Sequence, residues 1–338
     1  MTEITDKPFR SICRNYGAAL TYTQMISAKG IVKREFATLR LAVFSKKELP
    51  IGVQLLGNDA NIISESIKVI KEFQPSTFDL NAGCPVPKVV KLGFGAALLE
   101  NQLELAKILR AMKKSAGEIP ISVKLRLGLS KNRINENLKI AENEGVDFVI
   151  IHPKYAYEKS EIQPNYEILA DIKSKFKIPI FANGFFFSAE ECDSIINKNY
   201  VNGVMIARGA LGNPFIFKQF EEIRKGEIAS EVTIQRIFDV LIEHIRLIEI
   251  EYGENITGLN NAKKNTIWYF RKVNGIKYLV PNVLKVQSYS GLISVVKKHK
   301  EEIESGKFVS LGDANEINKM FLNRILFWLL KEKNESFE

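Results

Sequence analysis

Short apolar runs alternate with helix-length segments through the first two thirds of the chain, and this alternation constrains the fold more than any other feature. The runs are Ala19-Tyr22, Ile51-Leu55, Thr77-Leu80, Ile121-Leu125, Phe148-Ile151, Ile178-Ala182 and Gly203-Ala207. Helical patterns lie between them at Asn61-Phe73, Leu103-Lys114, Arg133-Glu144 and Ala189-Asn197. Ser188, with Glu191 three residues on, forms a capping box that opens the last of these. Buried strands alternating with helices predict an α/β fold with a parallel sheet. The strands end in polar residues: Gln54, Asn81, Lys124 with Arg126, His152, Asn183 and Arg208. A (β/α)8 TIM barrel carries its chemistry at that C-terminal rim. A Rossmann fold would need Gly-x-Gly-x-x-Gly after an early strand, and no such segment follows one. Seven strands are counted where a closed barrel needs eight. The first strand is therefore expected to lie upstream of Met1, absent from this chain.

From about residue 216 the pattern becomes helical. Val232-Tyr252 places Ile234, Ile237, Phe238, Leu241, Ile242, Ile245 and Ile248 on one stripe, closed by Gly253. Further helices are expected at Ala262-Val273, Val283-Lys300 and Asp313-Lys331. Two domains follow from this reading: a barrel over residues 1–215 and a helical bundle over residues 216–338.

Charge and cysteine usage narrow the function. The three cysteines, Cys13, Cys84 and Cys192, lie far apart without a CxxC pair, and the three histidines lack metal-pair spacing. A disulfide framework and a metal site are therefore not expected. Neither a signal peptide nor a membrane-spanning stretch is visible, so the chain reads as soluble and cytoplasmic. The net charge is +9 and is unevenly spread. Residues 7–47 hold nine basic side chains against Glu35 alone, and residues 255–300 hold nine with no acidic residue. In the second segment Trp268, Tyr269, Phe270, Tyr278 and Tyr289 are interleaved. Basic segments with aromatics suit a polyanion whose bases can stack, although solvated lysines and helix packing would produce the same composition.

One cysteine stands apart. Cys84 sits in Asp79-Leu80-Asn81-Ala82-Gly83-Cys84-Pro85, at the end of a strand and ahead of Lys88 and Gly93-Phe94-Gly95. Most free cysteines are small buried thiols. One placed at a strand end beside a loop suits a reactive group. Cys13 and Cys192 read as structural.

Several ordered motifs resemble the tRNA-dihydrouridine synthase family over nearly the whole length. They are Thr5-Arg10, Val53-Gln54-Leu55, Leu80-Pro85 with Lys88, Val123-Lys124-Leu125-Arg126, Ile151-His152, Ala182-Asn183-Gly184 and Ile206-Pro214. Lys264-Tyr269 is similar to the basic-aromatic stretch of that family's helical domain. The resemblance implies an FMN enzyme, reduced by NADPH or NADH, that saturates the C5–C6 bond of uridine in tRNA. Hydride from the reduced flavin would reach C6, and Cys84 would be the general acid delivering a proton to C5. The resemblance also implies that Gln54, Lys124, His152, Asn183, Gly184, Ala207 and Arg208 bind the cofactor. Asn81 would read the uracil edge, and Arg126 would contact substrate base or ribityl chain. The partners implied are tRNA and the nicotinamide cofactor, with no metal or membrane, and the chain is expected to be a monomer. A uracil in folded RNA must be extruded to reach such a floor.

The chain also departs from the family pattern. Met1-Thr2-Glu3 replaces a Met followed by small residues, Pro153-Lys154 stands where Gly-Arg is common, Phe185 where Asp is common, and Asn265 where His is frequent. Two alternatives compete: another FMN barrel oxidoreductase of the dihydroorotate dehydrogenase type, and a non-catalytic RNA-binding barrel that has lost flavin.

Overall fold

The structure is a computed structural model, and it describes residues 4–159, 161–271, 273 and 275–306. Helix α1 (Lys7–Asn15) comes first. Strand β1 (Thr21–Ser27) follows, then α2 (Ala28–Val32), α3 (Phe36–Ala42), β2 (Ile51–Leu56) and α4 (Ala60–Lys71). Strand β3 (Thr77–Ala82) leads through α5 (Pro87–Lys91) and α6 (Gln102–Ala116) to β4 (Ile121–Gly128). The alternation continues with α7 (Ile134–Asn143), β5 (Phe148–Tyr155), α8 (Glu167–Lys175), β6 (Ile180–Asn183), α9 (Ala189–Asn197), β7 (Gly203–Met205) and α10 (Phe215–Arg224). Helices α11 (Ile234–Tyr252), α12 (Ile256–Phe270), α13 (Ile276–Lys285) and α14 (Tyr289–Glu304) close the described chain.

The seven strands form one sheet in chain order, every neighbouring pair parallel. The sheet is curled as in a TIM barrel. Seven strands are found among the described residues, and Met1-Thr2-Glu3 lies outside them.

Side chains alternate across a strand, so register divides the sheet into two faces. One set, with Val53, Leu55, Phe78, Leu80, Val123, Leu125, Val149, Ile151, Ile180 and Ala182, is wholly buried. It packs with Ile63, Ile67 and Ile70 of α4, Leu105, Ile108, Leu109 and Met112 of α6, Leu138 of α7 and Leu169 and Ile172 of α8. These helical residues recur at three- and four-residue spacing, the stripe a sheet-covering helix needs. Full burial of each such Leu or Ile stabilises the fold by about 1.5–3 kcal/mol. The alternate set is polar towards the strand ends. Register places Gln54 opposite Asp79, Asp79 opposite Ser122, Asn81 opposite Lys124, and Arg126 opposite His152.

Several boundaries differ from the sequence reading. The first strand starts at Thr21 and runs on to Ser27: its pairing with β2 shifts register at Thr23-Gln24 and resumes at Met25, so the strand continues past the end of the apolar run. Strands β4 and β5 extend to Gly128 and Tyr155, so Arg126 and His152 belong to the sheet rather than to loops. Helix α1 was not expected. Asp6 caps it, accepting from Phe9 N at 3.0 Å, with Pro8 in the first turn. Val283-Lys300, read as one helix, is two. Helix α13 ends at Lys285, and Ser288 caps α14 by accepting from Gly291 N. The helix expected at Asp313-Lys331 lies outside the described residues.

The chain divides into two compact units, one of residues 1–210 with 214–230 and one of residues 211–213 with 231–338. Two of the basic residues counted near the N-terminus are structural. Arg10 and Glu48 form a buried ion pair at 2.7 Å, and Arg14 donates to the Ala18, Ala19 and Leu49 carbonyls. Trp268 and Tyr269 are buried, as helix packing requires. Lys263 is also buried, donating to Leu284 O at 3.2 Å. No described helix is long and apolar enough to cross a membrane.

Candidate active site

Cys84 is half-buried, whereas Cys13 and Cys192 are buried. Burial pushes the Cys13 thiol up, and burial with Glu191 pushes Cys192 up to about 12. Buried thiols held in the protonated form are poor nucleophiles, which leaves Cys84 as the cysteine placed for chemistry.

The loop after β3 holds Cys84 at three points. Its N–H donates to Asn81 Oδ1 at 2.9 Å, its carbonyl accepts from Ala96 N at 3.0 Å, and the adjacent Gly83 carbonyl accepts from Arg126 Nε at 2.9 Å. Gly83 N also donates to Asn81 Oδ1 at 3.2 Å. Asn81 thus spends its oxygen on two backbone amides. Its Nδ2 donates to Gln54 Oε1 at 3.0 Å, and Gln54 Nε2 donates to Asp79 Oδ2 at 2.7 Å.

Cations gather on β4 and β5 and at the end of β7. Lys124 lies beside Asn81 in register, and neither Lys124 nor Arg208 has an ion-pair partner among the described residues. Burial, then Arg126, lowers the Lys124 ammonium to about 8. Arg126 Nη1 donates to Tyr155 O at 3.1 Å, bracing the Cys84 loop against the end of β5. His152 is held neutral by burial and by Lys124, Arg126, Lys154 and Arg208. Its Nε2 is buried without a hydrogen-bond partner among the described residues.

His152, Asn183, Gly184, Ala207 and Arg208 line one cavity of about 70 Å³, so the structure brings together five residues expected to hold a cofactor. Asn183 Nδ2 donates to Met205 O at 2.8 Å, tying β6 to β7. Gly184 has φ +117° and lies against the His152 ring, where a Cβ would come within 2.6 Å of Nε2. Gly209 approaches the Phe186 carbonyl so closely that a Cβ would stand 1.9 Å from it. The Arg208 guanidinium stacks 4.9 Å from the Phe185 ring centre and 5.7 Å from that of Phe187. Lys154, 2% exposed, donates to the Lys159 and Ile162 carbonyls and organises the loop after β5.

The site therefore holds several cations that depress one another, only partly offset by Asp79, Glu158 and Glu161, together with an imidazole nitrogen that has no hydrogen-bond partner among the described residues and closely approaching backbone. Unpaired charge in a partly buried site is costly. An anionic group with hydrogen-bonding edges, such as a flavin mononucleotide with its phosphate, would offset that cost, so these residues fit FMN. The sequence reading missed Asp79, Ser122, Phe185 and Phe187. Asp79 was visible inside the cysteine motif, but its partners come from other strands.

A model of the family described as Dihydrouridine synthase (Dus) matches residues 1–299. The tRNA-dihydrouridine synthase B of Pasteurella multocida is 32% identical over 296 residues, covering 86% of each chain. That of Pseudomonas aeruginosa is 30% identical over 281 residues, covering 82% of this chain and 84% of its own. Among solved structures, the old yellow enzyme homologue from Zymomonas mobilis superposes with a TM-score of 0.51 at 8% identity, over 70% of this chain and 87% of that one. A 2-naphthoyl-CoA reductase complex gives 0.51 at 11% identity, over 65% of this chain but only 46% of the reductase. The structural likenesses show a shared fold.

Proposed function

The chain belongs to the dihydrouridine synthase family and is an oxidoreductase that modifies tRNA uridines, and from that premise we propose how its residues do so. The observation that carries the proposal is Cys84. It is the half-buried cysteine, and backbone bonds fix it on the rim that also bears Lys124, Arg126 and His152.

Reduction of uridine adds a hydride at C6 and a proton at C5. Reduced FMN, when bound, supplies the hydride, and NADPH or NADH restores it. Cys84 Sγ–H gives the proton to C5, and the thiolate regains a proton from solvent. Lys124 and His152 would hold the flavin ring, with Lys124 supplying positive charge where negative charge develops. Gln54, already bonded to Asp79 and Asn81, would be a further residue holding the flavin. Asn183, Gly184, Ala207 and Arg208 would hold the phosphate, Arg208 being stacked on Phe185 with Glu161 near enough to favour its charge. Asn81 and Arg126 bind the substrate side while holding the Cys84 loop from opposite sides. The unit that holds the sheet would bind FMN, and the C-terminal region, expected from residue 216 onward, would bind tRNA. The chain works as a cytoplasmic monomer.

The direct test is incubation of the purified protein with unmodified tRNA transcript and NADPH. Dihydrouridine, detected by mass spectrometry as a gain of two hydrogens on uridine, is the expected product. Free uridine is expected to be a very poor substrate, because basic segments of the chain supply docking on phosphates. Efficient turnover of the nucleoside would sink the docking role. Flavin bands in the visible spectrum, or their appearance on adding FMN, report the cofactor independently.

Lys124 also sets a pH dependence. Its ammonium titrates near 8 in the unliganded site. An anionic ligand favours the charged form, so binding raises that value. The Lys124 contribution to FMN affinity is therefore constant below about pH 8 and falls above it, at most about tenfold per pH unit for one proton. Fluorescence titration at pH 7 and pH 9 measures this. In Lys124→Met the fall should vanish; a fall that persists would assign it to another group.

A further inference from the structure

We propose that Asp79 is a positioning residue, acting on Cys84 through a one-way chain of side-chain amides: Asp79 to Gln54, Gln54 to Asn81, Asn81 to the Cys84 backbone. Its catalytic consequence rests on the reading of Cys84 as proton donor. Asp79 is fully buried on β3. Its Oδ1 accepts from Ser122 Oγ at 2.7 Å and its Oδ2 from Gln54 Nε2 at 2.7 Å. An ionised carboxylate can only accept. Gln54 must therefore give Asp79 its nitrogen, which leaves its oxygen for Asn81 Nδ2 at 3.0 Å. Asn81 in turn has its oxygen left for Gly83 N and Cys84 N. At one end of the chain stands an acceptor, and at the other two backbone donors. The two amides between them are satisfied in one orientation only.

Burial pushes the Asp79 carboxyl up to about 6, while Ser122, Gln54 and Lys124 oppose the rise. The carboxylate is thus ionised at neutral pH, the state in which it fixes the direction of the chain. Without that acceptor, Gln54 can turn its amide over. Its nitrogen then opposes Asn81 Nδ2, and the bond between them is lost. On that side Asn81 keeps only the weak bond from Nδ2 to Met25 Sδ at 3.7 Å, and the Cys84 loop loses its fixed geometry. Asp79 touches no reacting atom.

The test is amide hydrogen exchange at Gly83 and Cys84 in the full-length protein, with kcat and KM for tRNA measured beside it. Asp79→Leu is expected to speed both exchanges about tenfold or more, the scale set by loss of a charge-assisted hydrogen bond. Its kcat should fall by a similar factor with KM for tRNA little changed. Asp79→Asn should restore both readouts, because its oxygen can accept from Gln54 while its nitrogen donates to the Ser122 hydroxyl. That rescue needs Ser122. Ser122→Ala alone should leave the two exchange rates near wild type, and Asp79→Asn with Ser122→Ala should raise them well beyond the product of the single effects. The asparagine series decides the matter if the leucine variant does not fold. Unchanged exchange in folded Asp79→Leu, or multiplicative effects in the double variant, would overturn the proposal. The expected exchange pattern in a wild-type protein that forms no dihydrouridine would uphold the chain and sink the enzymatic reading instead.

Discussion

A Cys84→Ala protein is expected to form dihydrouridine in tRNA about 10²–10⁴-fold more slowly than the wild type, the usual worth of a positioned general acid. The substitution is clean because the bonds holding this residue come from its backbone. The donation to Asn81 and the acceptance from Ala96 survive in alanine. The Arg126 bond to the preceding carbonyl survives as well. Flavin content, the circular dichroism spectrum and tRNA binding should therefore be retained while product formation collapses. Cys84→Ser should fall between the two, because a hydroxyl is a far weaker acid than a thiol. Single-turnover dihydrouridine formation, read by mass spectrometry, is the measurement. Wild-type rates in Cys84→Ala would remove the thiol from the mechanism and leave solvent as the proton source.

The second large effect is expected at Gly184. Glycine is required here twice over, by a backbone φ of +117° and by the His152 ring lying where a side chain would start. The Tyr166 hydroxyl donates to the Gly184 carbonyl, which opposes a backbone shift that would relieve the contact. An alanine must therefore push the imidazole out of place and adopt a strained conformation, at a cost of about 1–3 kcal/mol for the strain alone. His152, Asn183, Ala207 and Arg208 share that small cavity. Gly184→Ala should accordingly weaken FMN binding more than tenfold, at least about 1.4 kcal/mol. Fluorescence titration of the flavin measures it, with thermal unfolding as the control for fold. Unaltered FMN affinity in a folded Gly184→Ala protein would move the cofactor away from the end of β6.

Proposed residues acting in one place come from strands far apart in sequence, and the degree to which each was legible follows from how local its signal is. Cys84, Lys124, His152 and Arg208 stand out because a polar residue after a β-branched or apolar run marks the end of a buried strand. That signal needs only the neighbours in the chain. The Ser188–Glu191 capping box was legible for the same reason, since both its bonds close within one turn. The break between α13 and α14 was missed because the apolar pattern continues through it.

Asp79 shows the opposite case. It lies two residues from Asn81 in the most informative segment of the chain, yet its partners are Gln54 on β2 and Ser122 on β4. Phe185 and Phe187 are similar: nothing in their local pattern says that Arg208, more than twenty residues on, stacks against both.

The sequence by itself determined the parallel α/β architecture, the helical C-terminal region and the rim residues of the family motifs. These depend on periodicity and residue type, which a linear chain carries openly. Only the tertiary structure decided which side chains touch. Cross-strand register and the curl of the sheet choose the neighbours, and a shift of one residue in register would turn each side chain to the opposite face. Hence Asn81 bonds the Gln54 amide, and Gly184 lies against an imidazole more than thirty residues away in the chain.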